Sequence, residues 1–152
     1  LTIQNMKARG TQRYAVTKRP KSVEWASQNM LVLGAIVAIG LGLHLANFWS
    51  KMQLQEIIGS QAIVNGVAVS PTDGAALIEY TFSQWYFVLA YIVWLAALWF
   101  HLSHGFWSAL QTLGWNGKIW FRRWQGIGNI YVTLVVLGFV AVVLTFYFKS
   151  LC

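Results

Sequence analysis

Between Trp85 and Gln111 the chain runs for twenty-seven residues without an Asp, Glu, Lys or Arg. A helix of roughly 20 apolar residues is enough to cross the hydrocarbon core of a bilayer, so a membrane span is the reading this stretch allows. Two of the three histidines, His101 and His104, lie in its second half, within Trp99-Phe-His-Leu-Ser-His-Gly-Phe-Trp-Ser-Ala-Leu-Gln111. Ionisable side chains at such depth are costly, and they usually face a bundle interior with a partner. On a helix, Ala90, Ala97, His101, His104, Ser108 and Gln111 fall along one stripe, because residues three, four and seven apart share a face. Small residues above and polar ones below leave room for a bulky group beside the two imidazoles.

Two further runs flank this one. Met30 to Trp49 carries no charge, and Ile130 to Phe148 is rich in Val and Leu with no Asp, Glu, Lys, Arg or His. The chain is 57% hydrophobic and 10% charged, against about a quarter charged in a typical soluble domain. The expected fold is therefore an all-α integral membrane bundle of three transmembrane helices in a single domain. Its segments are span A over residues 28–50, span B over 84–112 and span C over 128–148. Span B is longer than one crossing needs, so it tilts or projects. Gly34, Gly40 and Gly42 in span A permit close approach of a neighbouring helix or a flat ligand. His44 sits near the far end of that span, with Gly40 one turn before it and Asn47 one turn after. Span C is expected only to pack.

Charge sets the topology. Lys7, Arg9, Arg13, Lys18, Arg19 and Lys21 precede span A, with Pro20 and Ser22 as a plausible helix start and Glu24 in its first turn. Lys118, Arg122 and Arg123 lie between spans B and C, beside Trp115, Trp120 and Trp124. Residues 51–83 balance Lys51 against Glu56, Asp73 and Glu79, a net −2. The arm (1–24) and the second connection (113–127) are thus expected to be cytoplasmic and the 51–83 loop outside. In that loop Asn65-Gly66 and Pro71-Thr-Asp-Gly74 are turn signals, and Ala75 to Phe82 suits a short interfacial helix. The formal charge of +7 follows from this topology rather than from a nucleic-acid partner. The cations are suited to anionic lipid head groups or to a docking peripheral subunit. Cys152, alone at the end, supports neither a disulfide framework nor covalent haem attachment. Leu1 opens the sequence without an initiator Met or a signal-peptide pattern, and reads as the continuation of a longer protein.

Helical rise separates the histidines. His44 lies ~8 Å from the outer end of span A and His104 ~28 Å from the outer end of span B, roughly 20 Å apart in depth. They cannot ligate one iron; if both are ligands they belong to two sites, one near each face, and each site needs a partner from elsewhere. The residues alone leave three readings open. A lone intramembrane histidine can bond a neighbour's carbonyl. His101 and His104, three apart, can bind zinc, although no Cys or carboxylate lies at their depth. A neutral imidazole can be an axial haem ligand. No catalytic triad, phosphate loop or carboxylate pair has support.

The run His101-Leu-Ser-His-Gly-Phe-Trp-Ser-Ala-Leu-Gln-Thr-Leu-Gly-Trp115 resembles the dihaem cytochrome b subunit of succinate dehydrogenase and fumarate reductase, in the form found in the Bacteroides group. Lys7-Ala-Arg-Gly10 with Tyr14, Val23-Glu-Trp-Ala-Ser-Gln-Asn-Met30 and Asn129-Ile-Tyr131 are similar to the same subunit. The resemblance implies five helices carrying two b-type haems, with spans A, B and C as helices three to five. It implies His44 as ligand of the outer haem and His104 of the inner one, with His101 as a bond donor to a propionate or to a ligand. Helices one and two, with their two histidines, are not in this sequence. The implied partners are a flavoprotein and an iron–sulfur subunit, docked over the basic arm and the 114–126 loop, together with membrane lipid. The implied substrate is a quinone, menaquinone in the expected case, and the implied location is the bacterial inner membrane. The chain would then be a non-catalytic subunit of an oxidoreductase. Two rival readings are a haem-free anchor that only tethers a soluble partner, and a transporter fragment whose histidines relay protons.

Overall fold

The computed structural model describes residues 2–10, 25–115 and 117–152. Helix α1 (Thr2–Arg9) ends at Gly10, whose φ of 58° is the left-handed conformation that stops a helix. The sequence reading had this segment as an arm. Its remaining cations, Arg13, Lys18, Arg19 and Lys21, lie outside the described residues, as do Pro20, Ser22 and Glu24. Helix α2 (Trp25–Gln28) leads through Asn29 into α3 (Met30–His44), which runs on as a π-helical turn, Leu45–Trp49. Then come α4 (Gln53–Ile58), strands β1 (Ala62–Val64) and β2 (Val67–Val69), α5 (Gly74–Phe82), α6 (Trp85–Thr112) and α7 (Lys118–Leu151).

Three helices are long and apolar enough to cross a membrane: Met30–Trp49, Trp85–Thr112 and Ile119–Leu151. Only 17% of the most apolar window of each is buried within the protein, so most of their hydrocarbon surface faces outward. A soluble monomer rarely exposes apolar surface on that scale, whereas lipid covers it at no cost. Helix α6 is the central element and packs against both α3 and α7.

The region between the first two long helices is built, not irregular. Asn65 (φ 50°) and Gly66 (φ 78°) both take positive φ, as a two-residue I′ hairpin turn requires, and pair β1 antiparallel with β2. This hairpin, invisible beyond its turn signal, is the one departure from an all-helical fold among the described residues. Asp73 caps α5, its Oδ1 accepting from the Ala76 N–H at 3.1 Å. Helix α5 lies where the sequence placed a short interfacial helix. Its Leu77 is fully buried with Ala62 and Val64, and Phe82 joins the main core of Val88, Tyr91, Leu95, Val132, Val136 and Val143. Lys149 near the end of α7 donates to Glu79 of α5 at 3.0 Å.

The second connection is shorter than expected. Helix α6 closes on Gly114 (φ 81°), with the Trp115 N–H donating back to the Leu110 carbonyl at 2.9 Å, a Schellman ending. Helix α7 already begins at Lys118, ten residues before the expected start of span C. Arg122 and Arg123 made that stretch read as a loop. Both are exposed on a helix whose Phe121 packs edge-on to Trp107 at 6.2 Å, so the charges decorate a helix that outruns the hydrocarbon.

Candidate functional site

Contacts between α3 and α6 fix the depth of each histidine. A Cβ added at Gly34 would lie 3.4 Å from His101 Cε1, and one added at Gly105 would lie 3.8 Å from Met30 Cε. At the other end the Asn47 Nδ2 donates to the Tyr91 hydroxyl at 3.4 Å. The helices are therefore antiparallel, with His101 level with Gly34 and His104 level with the start of α3. His44 follows Gly34 by ten residues, ~15 Å of helical rise, and lies about 20 Å from the level of His104. The α3–α6 register combined with helical rise thus gives the same separation as the sequence does.

His44 stands in a box of rings. Phe48, Trp94 and Tyr91 have centroids 5.2, 5.6 and 6.3 Å from its own, and its Nδ1 is buried without a hydrogen-bond partner. Asn47 and Tyr91, at 6% and 3% exposure, form the buried polar pair beside it. The glycine one turn earlier does not leave an open notch. The indole of Trp94 lies directly on Gly40, and its N–H donates to the Val37 carbonyl at 3.1 Å. The room beside His44 that the glycines suggested is taken, at Gly40, by this chain's own tryptophan.

His101 and His104, on one stripe in the sequence, divide between two seams. Three residues apart on a helix is a rotation of about 60°, and α6 has a neighbour on each side. His101 turns its Cε1 and Nδ1 edge to Gly34 of α3, with Nδ1 buried and unpartnered. His104 packs edge-on to Trp107 at 4.6 Å and lines a cavity of about 280 Å³ between α2, α6 and α7. Trp25, Trp99, Ser103, Gln125 and Asn129 share that cavity. Ser103 presents a buried hydroxyl with no partner there. A second cavity, about 350 Å³ and almost wholly apolar, lies along the same α6–α7 seam. Ser103, Gln125 and Asn129 escaped the sequence reading. The only signal for them was the four-residue spacing of the two amides at the head of an apolar run.

Among the described residues no three of His, Cys, Asp and Glu are grouped to hold a metal ion, so His101 and His104 have no zinc-type third ligand beside them. The chemistry available is that of imidazoles, His44 near one end of the bundle and His101 with His104 toward the other, among indole and phenyl rings. No family model, curated protein or solved structure matches the chain.

Proposed function

We propose that the chain is the membrane anchor and electron-transfer subunit of a succinate:quinone oxidoreductase, seated as a multi-pass protein in the bacterial inner membrane. In this reading His44 and His104 would each hold a b-type haem through its imidazole, one near each face. The observation that carries it is their separation: two histidines about 20 Å apart in depth on apolar helices. A proton relay would need polar groups between them. Between those levels α6 offers Trp94, Leu95, Leu98 and Trp99, with His101 as its one titratable side chain, too sparse a set for a relay.

The two histidines suit the group, while the Gly40 notch beside His44 is filled by Trp94. An axial ligand must be a neutral imidazole held in one orientation by its surroundings. His44 is held by three rings, and its buried Nδ1 meets no competing base. His104 is held edge-on against Trp107, with 4.6 Å between ring centroids. Haem supplies the one-electron chemistry when bound, and protein burial and hydrogen bonds tune its potential. The chain's own part is to fix two imidazoles at set depths, to exclude water with Trp94, Phe48 and Tyr91, and to present Arg123 to an iron–sulfur subunit. Each site takes one ligand from this chain, so a second imidazole comes from outside the residues described.

The test is a reduced-minus-oxidised spectrum with low-temperature EPR on membranes holding the protein with its natural partners. Two low-spin bis-histidine b-type centres that reduce with succinate are expected. Absence of any b-type band would overturn the reading in favour of a haem-free anchor.

A further inference from the structure

The two cavities on the α6–α7 seam adjoin, the polar one toward the α6–α7 turn and the apolar one beyond it, and together they make a graded groove. They share Trp99 and Phe100 as a common wall. That wall is fixed: the Trp99 N–H donates to Thr133 Oγ1 at 2.9 Å, and Phe100 is gripped edge-on by Trp25 and Trp99 at 5.3 and 4.9 Å. On α7 the lining residues Gln125, Asn129, Thr133, Val136 and Val140 recur every three or four positions, one face of a helix. Arg122, exposed, continues the stripe one turn earlier. Polarity falls steadily along it, from cation to amides, to a hydroxyl whose oxygen is engaged by Trp99, to valines.

We infer that this groove binds one phospholipid of the leaflet on the side of the α6–α7 turn. Its phosphate would meet Arg122, its ester carbonyls the Gln125 and Asn129 amides and the Ser103 hydroxyl, and an acyl chain the apolar cavity. Three observations commit the groove to that occupant. The order of chemistries matches a lipid standing upright in the bilayer. From Asn129 to Val140 the rise is ~17 Å, close to the ~15 Å of one leaflet's share of the hydrocarbon core. The Ser103 hydroxyl is buried with no partner in the protein, and a carbonyl at that level would accept from it. A soluble metabolite would have no use for the apolar half, and a partner helix would not want the amides. The inference needs no haem and goes beyond the proposed redox role.

The test uses phosphatidylglycerol as probe, with the purified protein delipidated in mild detergent and read by native mass spectrometry. The wild type should retain about one phosphatidylglycerol per chain. Leu137→Trp, which fills the apolar cavity from an exposed position, should lose it, while Leu134→Trp, exposed but outside the groove, should keep it. Arg122→Gln should weaken retention about fivefold, as expected for one basic side chain at a lipid surface. Complete release from the wild type, or equal retention by the two tryptophan variants, would overturn the inference. Should Leu137→Trp fail to fold, a phosphatidylglycerol with a photoreactive acyl chain decides on the wild type. Crosslinks confined to Thr133–Val140 and facing α6 residues support the groove, and uniform labelling around α7 refutes it.

Discussion

Replacing Gly40 by alanine would put a methyl group inside the volume now held by the Trp94 indole. The helix backbone of α3 cannot yield, so the indole must swing away. That move breaks its bond to the Val37 carbonyl and opens a gap next to His44, whose ring centroid lies 5.6 Å from that of Trp94. Overpacking of this kind costs about 1–3 kcal/mol, and the lost hydrogen bond about 1 kcal/mol more. Against this, removing a mid-helix glycine recovers about 1 kcal/mol of helix propensity. The net expectation is a loss of about 1–3 kcal/mol. Gly42, two residues on, has nothing within 4 Å of an added Cβ, so Gly42→Ala should stabilise by up to about 1 kcal/mol. The assay is thermal or denaturant unfolding in mild detergent, followed by tryptophan fluorescence. A double variant, Gly40→Ala with Trp94→Ala, should be less damaged than the sum of the singles, because the second change removes the overlap created by the first. If Gly40→Ala proves as stable as Gly42→Ala, the close seating of α6 on α3 at this level is wrong, and so is the register that sets the depth of His44.

The orientation follows from charge: on a Cys152→Ser background, cysteines at Lys7 and Lys118 should label only from the cytoplasmic face and one at Asp73 only from outside, and labelling of Lys7 and Asp73 from the same side would refute the three-span topology. In the membrane-bound complex, His104→Ala should abolish one b-type spectrum and leave the other, whereas His101→Ala, whose ring packs on Gly34, should only shift a potential or band shape; the reverse pattern would exchange their roles. Lys149 and Glu79 are both well exposed, at 61% and 48%, so Glu79→Gln should change stability by less than about 1 kcal/mol, and less still at high salt. A larger loss on melting would mean that this pair, and not the buried Leu77 and Phe82, holds α5 to the bundle.

The long elements were readable because hydrocarbon imposes a blunt rule, and Met30–Trp49 and Trp85–Thr112 match the expected spans A and B almost end to end. The start of α7 was not, because Lys118, Arg122 and Arg123 break the apolar run without breaking the helix; hydropathy marks where lipid ends, and a helix ends only where a residue such as Gly114 turns the backbone. The depths of His44 and His104 followed from rise alone. Their surroundings did not, since which helix faces which side of α6 is a matter of tertiary packing. That is why one sequence stripe resolves into His101 on the α3 seam and His104 on the α7 seam. Glycine was legible as a close approach but silent on what approaches: at Gly40 it is Trp94, and at Gly128 it is the ring of Phe106. The hairpin at 62–69 announced its turn through Asn65-Gly66, but strands of three residues are too short to show a period of two.

Helix α7 also has a mechanical meaning. It runs unbroken from the exposed Arg122 and Arg123 to Lys149, which is tied to α5, a rod of ~40 Å by helical rise. Only residues 113–117 join it to α6, and Trp99–Thr133 pins the two rods partway along. Val132, Val136 and Val143 of α7 share one core with Val88, Tyr91 and Leu95 of α6, so the two rods are joined along most of their length. The α6–α7 turn at one end is thereby tied, through a single packed pair, to α5 at the other.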